Sequence, residues 1–168
     1  MLTLWQDPKL KNKVMKYVIL VMVTLSFGPV SCGDDDNGAN KEIGANEVPS
    51  VVKNTFHKQF PNSTDVDWET FGNGYEVDFE VDAIDHTAMI AVEGNMVKYR
   101  FDIGAPALPE AVTAKIVADY ENRSVDGSEI LKIGDNTYYQ VELDDGPNDL
   151  RLVFNENGEV DTEVKYYE

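Results

Sequence analysis

The sequence contains few of the residues that build catalytic and metal centres. It has one cysteine and two histidines, Cys32, His57 and His86. A single cysteine excludes an intramolecular disulfide, and these three residues cannot supply the ligand set of a Cys/His zinc site. Basic residues are scarce as well, since 14 Lys and Arg stand against 31 Asp and Glu. The formal net charge of −17 repels phosphate backbones and argues against nucleic acid as a partner.

Long hydrophobic runs are also missing. The apolar stretch at residues 17–27 has 11 residues, whereas a helix that spans a bilayer needs roughly 20. Four lysines precede this stretch and Gly28-Pro29 follows it, which is the pattern of a secretory signal. We therefore predict a signal peptide over residues 1–31 rather than a buried N-terminal helix. Because residues 1–14 are unlike the basic start of a signal, Met15 is an alternative start of translation.

The residues after this segment predict an anchor. Cys32 resembles the lipobox cysteine of bacterial lipoproteins, which carries diacylglycerol, and Val30-Ser31 fits that pattern although Pro29 stands where Leu is usual. The alternative is cleavage by signal peptidase I nearby, which would leave a free thiol. Residues 33–37 resemble the acidic export tag of Bacteroidetes surface lipoproteins, or form a solvated tether. We expect a lipidated Cys32 and an acidic linker over 32–47, which places the protein at the outer membrane, either periplasmic or surface-exposed.

The rest of the chain describes the same structural unit twice. Pro49 and Pro109, 60 residues apart, each open a segment with one apolar helical stripe. The stripes consist of Val52, Phe56 and Phe60 in the first segment, and Val112, Ile116 and Tyr120 in the second.

Four strand-like runs follow each predicted helix. They cover 66–71, 75–82, 87–92 and 96–103 in the first half, and 128–133, 137–144, 150–154 and 159–166 in the second. Turn residues separate them, such as Gly72-Asn73-Gly74 and Asn157-Gly158. Apolar and polar residues alternate within the runs, so each sheet has one face covered by a helix and one acidic face in water.

These features carry a family resemblance. The proline-led helix, the Phe60-Pro61 exit, the Val66-Asp67-Trp68-Glu69 run and the doubled plan resemble PepSY-like domain proteins. The plan is also similar to the β-lactamase inhibitory protein fold. The resemblance covers residues 48–168 and implies an α+β fold of two tandem α-β-β-β-β repeats, 48–104 and 105–168. Each repeat would be a helix packed on a four-stranded antiparallel sheet, and a unit near 60 residues is marginally stable alone, so we expect the two to pack as one body.

The resemblance also implies a concave sheet face that docks on an enzyme through aromatic anchors. In this sequence the outward positions are mostly acidic, and Trp68, Tyr138 and Tyr167 are the aromatic residues expected at the surface. The candidate binding face therefore comprises Trp68, Glu76, Asp78, Glu80, Lys98, Arg100 and Tyr138. For Trp68, a place in the core is the alternative, although Trp and Tyr concentrate at interface hot spots.

No catalytic motif is present. The sequence has no Gly-x-Ser-x-Gly and no phosphate-binding glycine loop, His57 lies off the apolar stripe, and His86 occupies a turn-like position. The acids around Asp145 lack the ligand order of an EF-hand, which favours a solvated turn over a Ca²⁺ site.

We predict a non-enzymatic envelope lipoprotein without metal or cofactor, which binds or inhibits an unidentified protein or peptide through the sheet face. It would touch the membrane only through its lipid anchor. The alternative is a cation-binding or sensory acidic module.

Overall fold

The described part of the chain contains two helices and eight strands. The computed structural model describes residues 40–120 and 123–168, which lie in a unit spanning Asp36–Glu168. The helices are α1 (Ser50–Gln59) and α2 (Glu110–Asp119), and a short 3-10 helix, Ala105–Ala107, precedes α2. The strands are β1 (Lys41–Ile43), β2 (Thr64–Phe71), β3 (Gly74–Val81), β4 (Ile84–Ala91), β5 (Met96–Asp102), β6 (Val125–Ile133), β7 (Asn136–Leu143) and β8 (Leu150–Asn155). The predicted signal peptide, the lipidation at Cys32 and the linker up to residue 39 lie outside the described residues.

Both predicted helices are confirmed. Each begins directly after a proline, Pro49 or Pro109. A backbone N–H at the start of a helix has no acceptor within the helix, so the N–H that proline lacks is not needed there. Spacing of four residues puts Val52 and Phe56 on one face of α1, and both are fully buried.

The strands form one antiparallel sheet in which each strand pairs with its neighbours in the sequence, from β1 to β8. The two halves of the chain join where β5 pairs with β6, from Lys98↔Ile133 to Asp102↔Glu129. The predicted α+β class is therefore confirmed, but the described strands form one continuous eight-stranded sheet instead of two four-stranded ones. The inner face of this sheet is the one that the helices cover, and the outer face is the opposite one.

Two hydrophobic clusters lie between the sheet and the helices. The first is rich in aromatic rings, because Phe56 makes edge contacts with Trp68 and Phe79 at centroid distances of 5.2 and 4.9 Å. The second is mainly aliphatic and surrounds Val112 and Phe154. Trp68 is only 4% exposed and pairs with Val77 on the inner face. Its assignment to the binding face is therefore wrong, because the register of β2 turns it toward α1.

The two halves of the described chain share one kind of contact between a turn and a helix. Gly94, in the turn after β4, approaches Val51 so closely that an added Cβ would lie 2.5 Å from its side chain. Gly158, 64 residues later, meets the carbonyl of Ala111 at 2.4 Å in the same way. Both glycines have positive φ, of 86° and 78°. In each half, the turn after the third strand therefore packs closely against the first turn of the helix, at a position where glycine leaves room for the contact.

Seven of the eight predicted strands are present, and the eighth, 159–166, is not. After the turn at Gly158, a single bridge links Phe154 and Val160, and then Asp161 Oδ1 accepts the backbone N–H groups of Glu163 and Val164, each at 2.9 Å. This local turn ends the pairing. At the other end, β1 lies within the predicted linker and pairs with β2 instead of remaining free.

Candidate functional site

The outer face is polar and is formed by alternate residues of the strands. Six of the seven predicted binding residues lie on this face, namely Glu76, Asp78, Glu80, Lys98, Arg100 and Tyr138. The structure does not leave all of them exposed, because Glu76 is 9% exposed. The burial of Glu76 comes from a residue directly after the run 159–166, which was predicted as a strand.

Residues 161–168, called here the covering segment, lie against the outer face. The anchor of this segment is Tyr167, which was expected at the surface but is 3% exposed. Its hydroxyl donates a hydrogen bond of 2.6 Å to Glu76 Oε2, and Lys98 Nζ lies 3.5 Å from the centre of its ring. A cation over the face of an aromatic ring is an attractive contact, and it is stronger when water is excluded.

Gln140 holds the backbone of the same tyrosine. The side chain of Gln140 is fully buried, its Oε1 accepts the N–H of Tyr167 at 2.7 Å, and its Nε2 donates to the carbonyl of Tyr167 at 3.0 Å. Gln140 and Glu76 are 64 residues apart and follow Tyr139 and Tyr75, so they are equivalent positions of the two repeats. We call the site formed by Glu76, Lys98 and Gln140 the tyrosine slot.

The tyrosine slot also reveals the shape of the face. Gln140 lies on β7 and Glu76 on β3, which are four strands apart and would be separated by about 19 Å in a flat sheet. Side chains stand roughly perpendicular to a sheet. One tyrosine that contacts both strands therefore indicates that the outer face is concave at this point.

The covering segment divides the outer face into two regions. In the covered region, which includes β6, β7 and β8, Leu131 and Val153 are buried although they point away from both hydrophobic clusters. Arg100 pairs there with Glu129, and Arg151 pairs with Glu142 and with Glu168 of the covering segment.

The open region comprises the outer positions of β2, β3 and β4, apart from Glu76. Its acids are placed opposite each other, because Asp67 pairs with Asp78 and Glu69 pairs with Glu76 across the strands. Asp78 also accepts a hydrogen bond of 2.7 Å from the hydroxyl of Thr87. Like charges directly opposite each other destabilise a sheet. The open region therefore concentrates negative charge at a cost to stability.

Burial changes the acidity of the groups at the slot. Burial raises the pKa of Glu76 above its usual range, against the opposing effects of the Tyr167 hydroxyl and Lys98. Burial lowers the pKa of Lys98 and raises that of Tyr167, to which the hydrogen bond with Glu76 adds. At the nearby end of β5, desolvation and the carboxylates of Glu129 and Asp85 raise the pKa of Asp102 to about 6.

Two of the residues that hold the slot were not predicted as functional. Gln140 and Glu129 lie on outward strand positions. Nothing in the alternation distinguishes an exposed outward position from one that a distant segment covers. One available signal was the uncharged Gln140 among outward acids. Another was the Tyr166-Tyr167 pair, at which the alternation of residues 159–166 breaks.

The histidines lie apart from the slot. His57 is exposed on α1, as expected. His86 was predicted in a turn but lies within β4, stacked between Phe79 and Phe101 at centroid distances of 5.1 and 5.2 Å. Within residues 40–120 and 123–168, no group of three or more His, Cys, Asp or Glu is arranged to hold a metal ion. No helix in this same portion of the chain has the length and hydrophobicity to cross a membrane.

One known family matches most of the described chain. The family model for beta-lactamase-inhibitor-like, PepSY-like proteins matches twice, over residues 36–98 and 73–162. Together the matches extend over more than half of the chain. A search of curated proteins found no match.

Solved structures from Bacteroides species share the fold. A BLIP-like protein of Bacteroides fragilis is 24% identical, with a TM-score of 0.61 over 76% of this chain and 88% of its own. A DUF2874 family protein of Bacteroides ovatus is 20% identical, with a TM-score of 0.61 over 67% of this chain and 83% of its own. A Bacteroides eggerthii protein described as "putative periplasmic" is 18% identical, with a TM-score of 0.62 over 67% and 85% of the two chains.

Proposed function

Because the chain belongs to the beta-lactamase-inhibitor-like, PepSY-like family, we propose that it is a non-enzymatic protein of the bacterial envelope that binds another protein or a peptide through the open region of the outer face. Of the residues predicted to bind, Asp78 and Glu80 belong to this surface. Asp67 and Glu69 of β2, which were not predicted, belong to it as well. Glu76, Lys98 and Arg100 are excluded from this surface, because Tyr167 and Glu129 already occupy them.

The observation that carries the proposal is the pairing of like charges in the open region. Asp67 faces Asp78 there, and none of the ion pairs among the described residues involves either of them. Sequences usually agree with their fold at every level, and violations concentrate at functional sites. A surface that keeps uncompensated acids is suited to a basic partner, which would neutralise them.

The chemistry of the open region also defines how binding should behave. Acidic patches steer cationic partners and mainly raise the association rate, an effect that salt screens. Residues 32–168, which would form the mature chain, contain ten basic and thirty acidic residues, a net charge of −20. A domain with this charge is suited to attracting a basic partner in the predicted envelope location.

Lipidation of Cys32 would hold this domain at the membrane. Lipidation is supported by the signal-like segment and the Val30-Ser31 pattern before Cys32. Export is also supported by the periplasmic description of the B. eggerthii protein of the same fold. Replacing Cys32 with Ser should release the protein in soluble form, since the apolar stretch alone is too short to anchor it. A Cys32→Ser variant that remains in the membrane fraction at high salt without lipid would contradict this part of the proposal.

Site-specific crosslinking in intact cells tests the binding surface. A photoreactive residue in place of Glu69 should capture a defined protein, whereas the same residue in place of Glu93, an exposed acid in the turn after β4, should not. Adding Asp67→Lys and Glu80→Lys should weaken capture from position 69. Equal capture from positions 69 and 93, or capture that charge reversal leaves unchanged at low salt, would reject the open region as the binding surface.

A further inference from the structure

The tyrosine slot contains separate groups for the backbone and the side chain of one residue. Gln140 both accepts the N–H and donates to the C=O of Tyr167, at 2.7 and 3.0 Å. A side-chain amide used in this way satisfies the two backbone groups that an extended peptide presents, whatever its sequence. The amide of Gln140 is itself oriented by Glu129, which accepts a second hydrogen bond from Nε2.

The other groups of the slot select the side chain. Glu76 accepts the phenol hydroxyl at 2.6 Å, and Lys98 lies over the ring at 3.5 Å from its centre. Phenylalanine would leave the buried carboxylate of Glu76 without this donor, and an unpartnered buried acceptor is costly. Beside the slot, Arg151 lies over the ring of Tyr166 at 5.5 Å and pairs with Glu168. The recognition elements thus fit the sequence Tyr-Tyr-Glu.

The covering segment is attached as a docked peptide rather than as a strand of the sheet. The last backbone-to-backbone hydrogen bond in the described part of the chain joins Asp161 N–H to the carbonyl of Val153 at 2.7 Å. Every hydrogen bond recorded for residues 163–168 uses at least one side chain. Residues 163–168 can therefore leave the outer face without breaking a backbone hydrogen bond to the sheet.

We propose that the tyrosine slot is a recognition site for a tyrosine in an extended peptide, and that the covering segment occupies this site in cis. The partner would be a peptide segment with a tyrosine followed by an acidic residue, which exchanges with Tyr167. This inference goes beyond the proposed function, because it uses the covered region instead of the open acids. It is tested on the purified protein with a synthetic peptide, so its failure would leave the crosslinking result unaffected.

The experiment uses the full chain with Tyr167→Ala, which removes the ring and the hydroxyl from the slot, weakens the attachment of the covering segment, and retains Glu76, Lys98 and Gln140. The probe is a peptide with the sequence of residues 162–168, Thr-Glu-Val-Lys-Tyr-Tyr-Glu. Two control peptides carry Phe or Ala in place of its second Tyr. Calorimetry should show that the variant binds the Tyr peptide at least tenfold more tightly than the Ala peptide, with the Phe peptide between them. The wild type should bind the Tyr peptide at least tenfold more weakly than the variant, since its own segment competes at high effective concentration.

A further variant links this binding to the slot. In the Tyr167→Ala chain, adding Gln140→Ala should abolish binding of the Tyr peptide, because it removes both backbone contacts. If Tyr167→Ala does not fold, Tyr167→Phe replaces it, and this milder variant should still bind the Tyr peptide more tightly than the wild type does. A folded variant that binds no peptide, or binds all three peptides equally, would overturn the proposal.

Discussion

The two halves of the sheet begin alike and end differently. Each half has a helix led by a proline, and each docks a glycine turn on that helix, Gly94 on Val51 and Gly158 on Ala111. The first half then continues into β5, whereas the equivalent residues of the second half turn away at Asp161 and become the covering segment.

The difference follows from what each fourth strand would have as neighbours. Strand β5 lies between β4 and β6 and gains hydrogen bonds on both sides. A strand at residues 159–166 would lie at the edge of the sheet with β8 as its one neighbour, so it would gain ladder hydrogen bonds on one side only. Two related sequences therefore reach different structures because their positions in the sheet differ.

The comparison predicts that neither half is independent. Residues 48–104 and residues 105–168, expressed separately, should each fail to show a cooperative thermal transition. The cut separates β5 from β6, and a unit near 60 residues buries too little surface alone. The intact chain should melt in one transition measured by circular dichroism. Two separate transitions in the intact chain would show that the halves are true domains.

The aromatic cluster of the first half should carry a large share of the stability. Trp68→Ala should lower the free energy of unfolding by about 3–5 kcal/mol, because it opens a cavity beside Phe56. Denaturant unfolding measures the change, and Trp68→Phe serves as the conservative control. A stable Trp68→Ala protein that has lost its crosslinking partner would instead restore Trp68 to the binding face.

The amide of Gln140 should matter far more than an ordinary glutamine. Gln140→Ala leaves the buried N–H and C=O of Tyr167 without partners and should cost about 1–3 kcal/mol in unfolding free energy. Gln59→Ala, at the exposed end of α1, should change it by less than about 0.5 kcal/mol. If the two substitutions have equal effects, the covering segment is not held as described.

The protein should become more stable as the pH falls from 7.5 to 5. The pKa of Asp102 in the fold is about 6, above its ordinary value of 3.8, so the folded state holds this proton more tightly than the unfolded state does. Protonation then stabilises the fold in the window between these two values, and the stabilisation is lost as the pH rises through 6. Arg100 opposes the shift, while Glu129 and Asp85 favour it.

The control for this pH effect is Asp102→Asn. This variant should melt at a higher temperature than the wild type at pH 7.5, and its melting temperature should depend less on pH. A melting temperature that falls on acidification in the wild type, with no change in slope in the variant, would contradict the assigned cause.

The open region should tolerate reversal of its acids with the smallest effect on folding. Asp67→Lys and Glu80→Lys should each change the unfolding free energy within about ±0.5 kcal/mol. Relief of the repulsion between Asp67 and Asp78 favours a slight stabilisation. Matched reversals at Glu93 and Glu156, exposed acids outside this face, control for net charge. Melting curves that collapse only for the first pair would make those acids structural.

Much of this fold could be predicted from the sequence because the local signals for helices and strands agree with the packing of the folded chain. Helix starts followed from Pro49 and Pro109, and seven strands followed from alternation and turn residues. The inward position of Trp68 was already decided by the register of β2, since Trp68 alternates with Asp67 and Glu69. The assignment of Trp68 to the binding face failed because it gave more weight to the type of residue than to this alternation.

The tyrosine slot could not be predicted because it depends on contacts between distant parts of the chain. Tyr167 and Glu76 are 91 residues apart, and no periodicity links them. The predicted strand at 159–166 failed for a related reason, because its alternation is compatible with pairing but the sheet offers it only one neighbour. The local pattern therefore predicted the helices and most strands. Where the covering segment packs depends instead on the curvature and the edge of the sheet.

The central claim is that Tyr167 docks across the sheet on Glu76, and a double-mutant cycle tests it directly. Unfolding free energies of Tyr167→Phe, Glu76→Ala and the double variant should reveal a coupling of about 1.5–3 kcal/mol, the range expected for a hydrogen bond to a charged group. The same cycle with Glu80→Ala, on the same strand in the open region, should give a coupling near zero. A Tyr167–Glu76 coupling that is also zero within error would show that the covering segment does not close this half of the outer face.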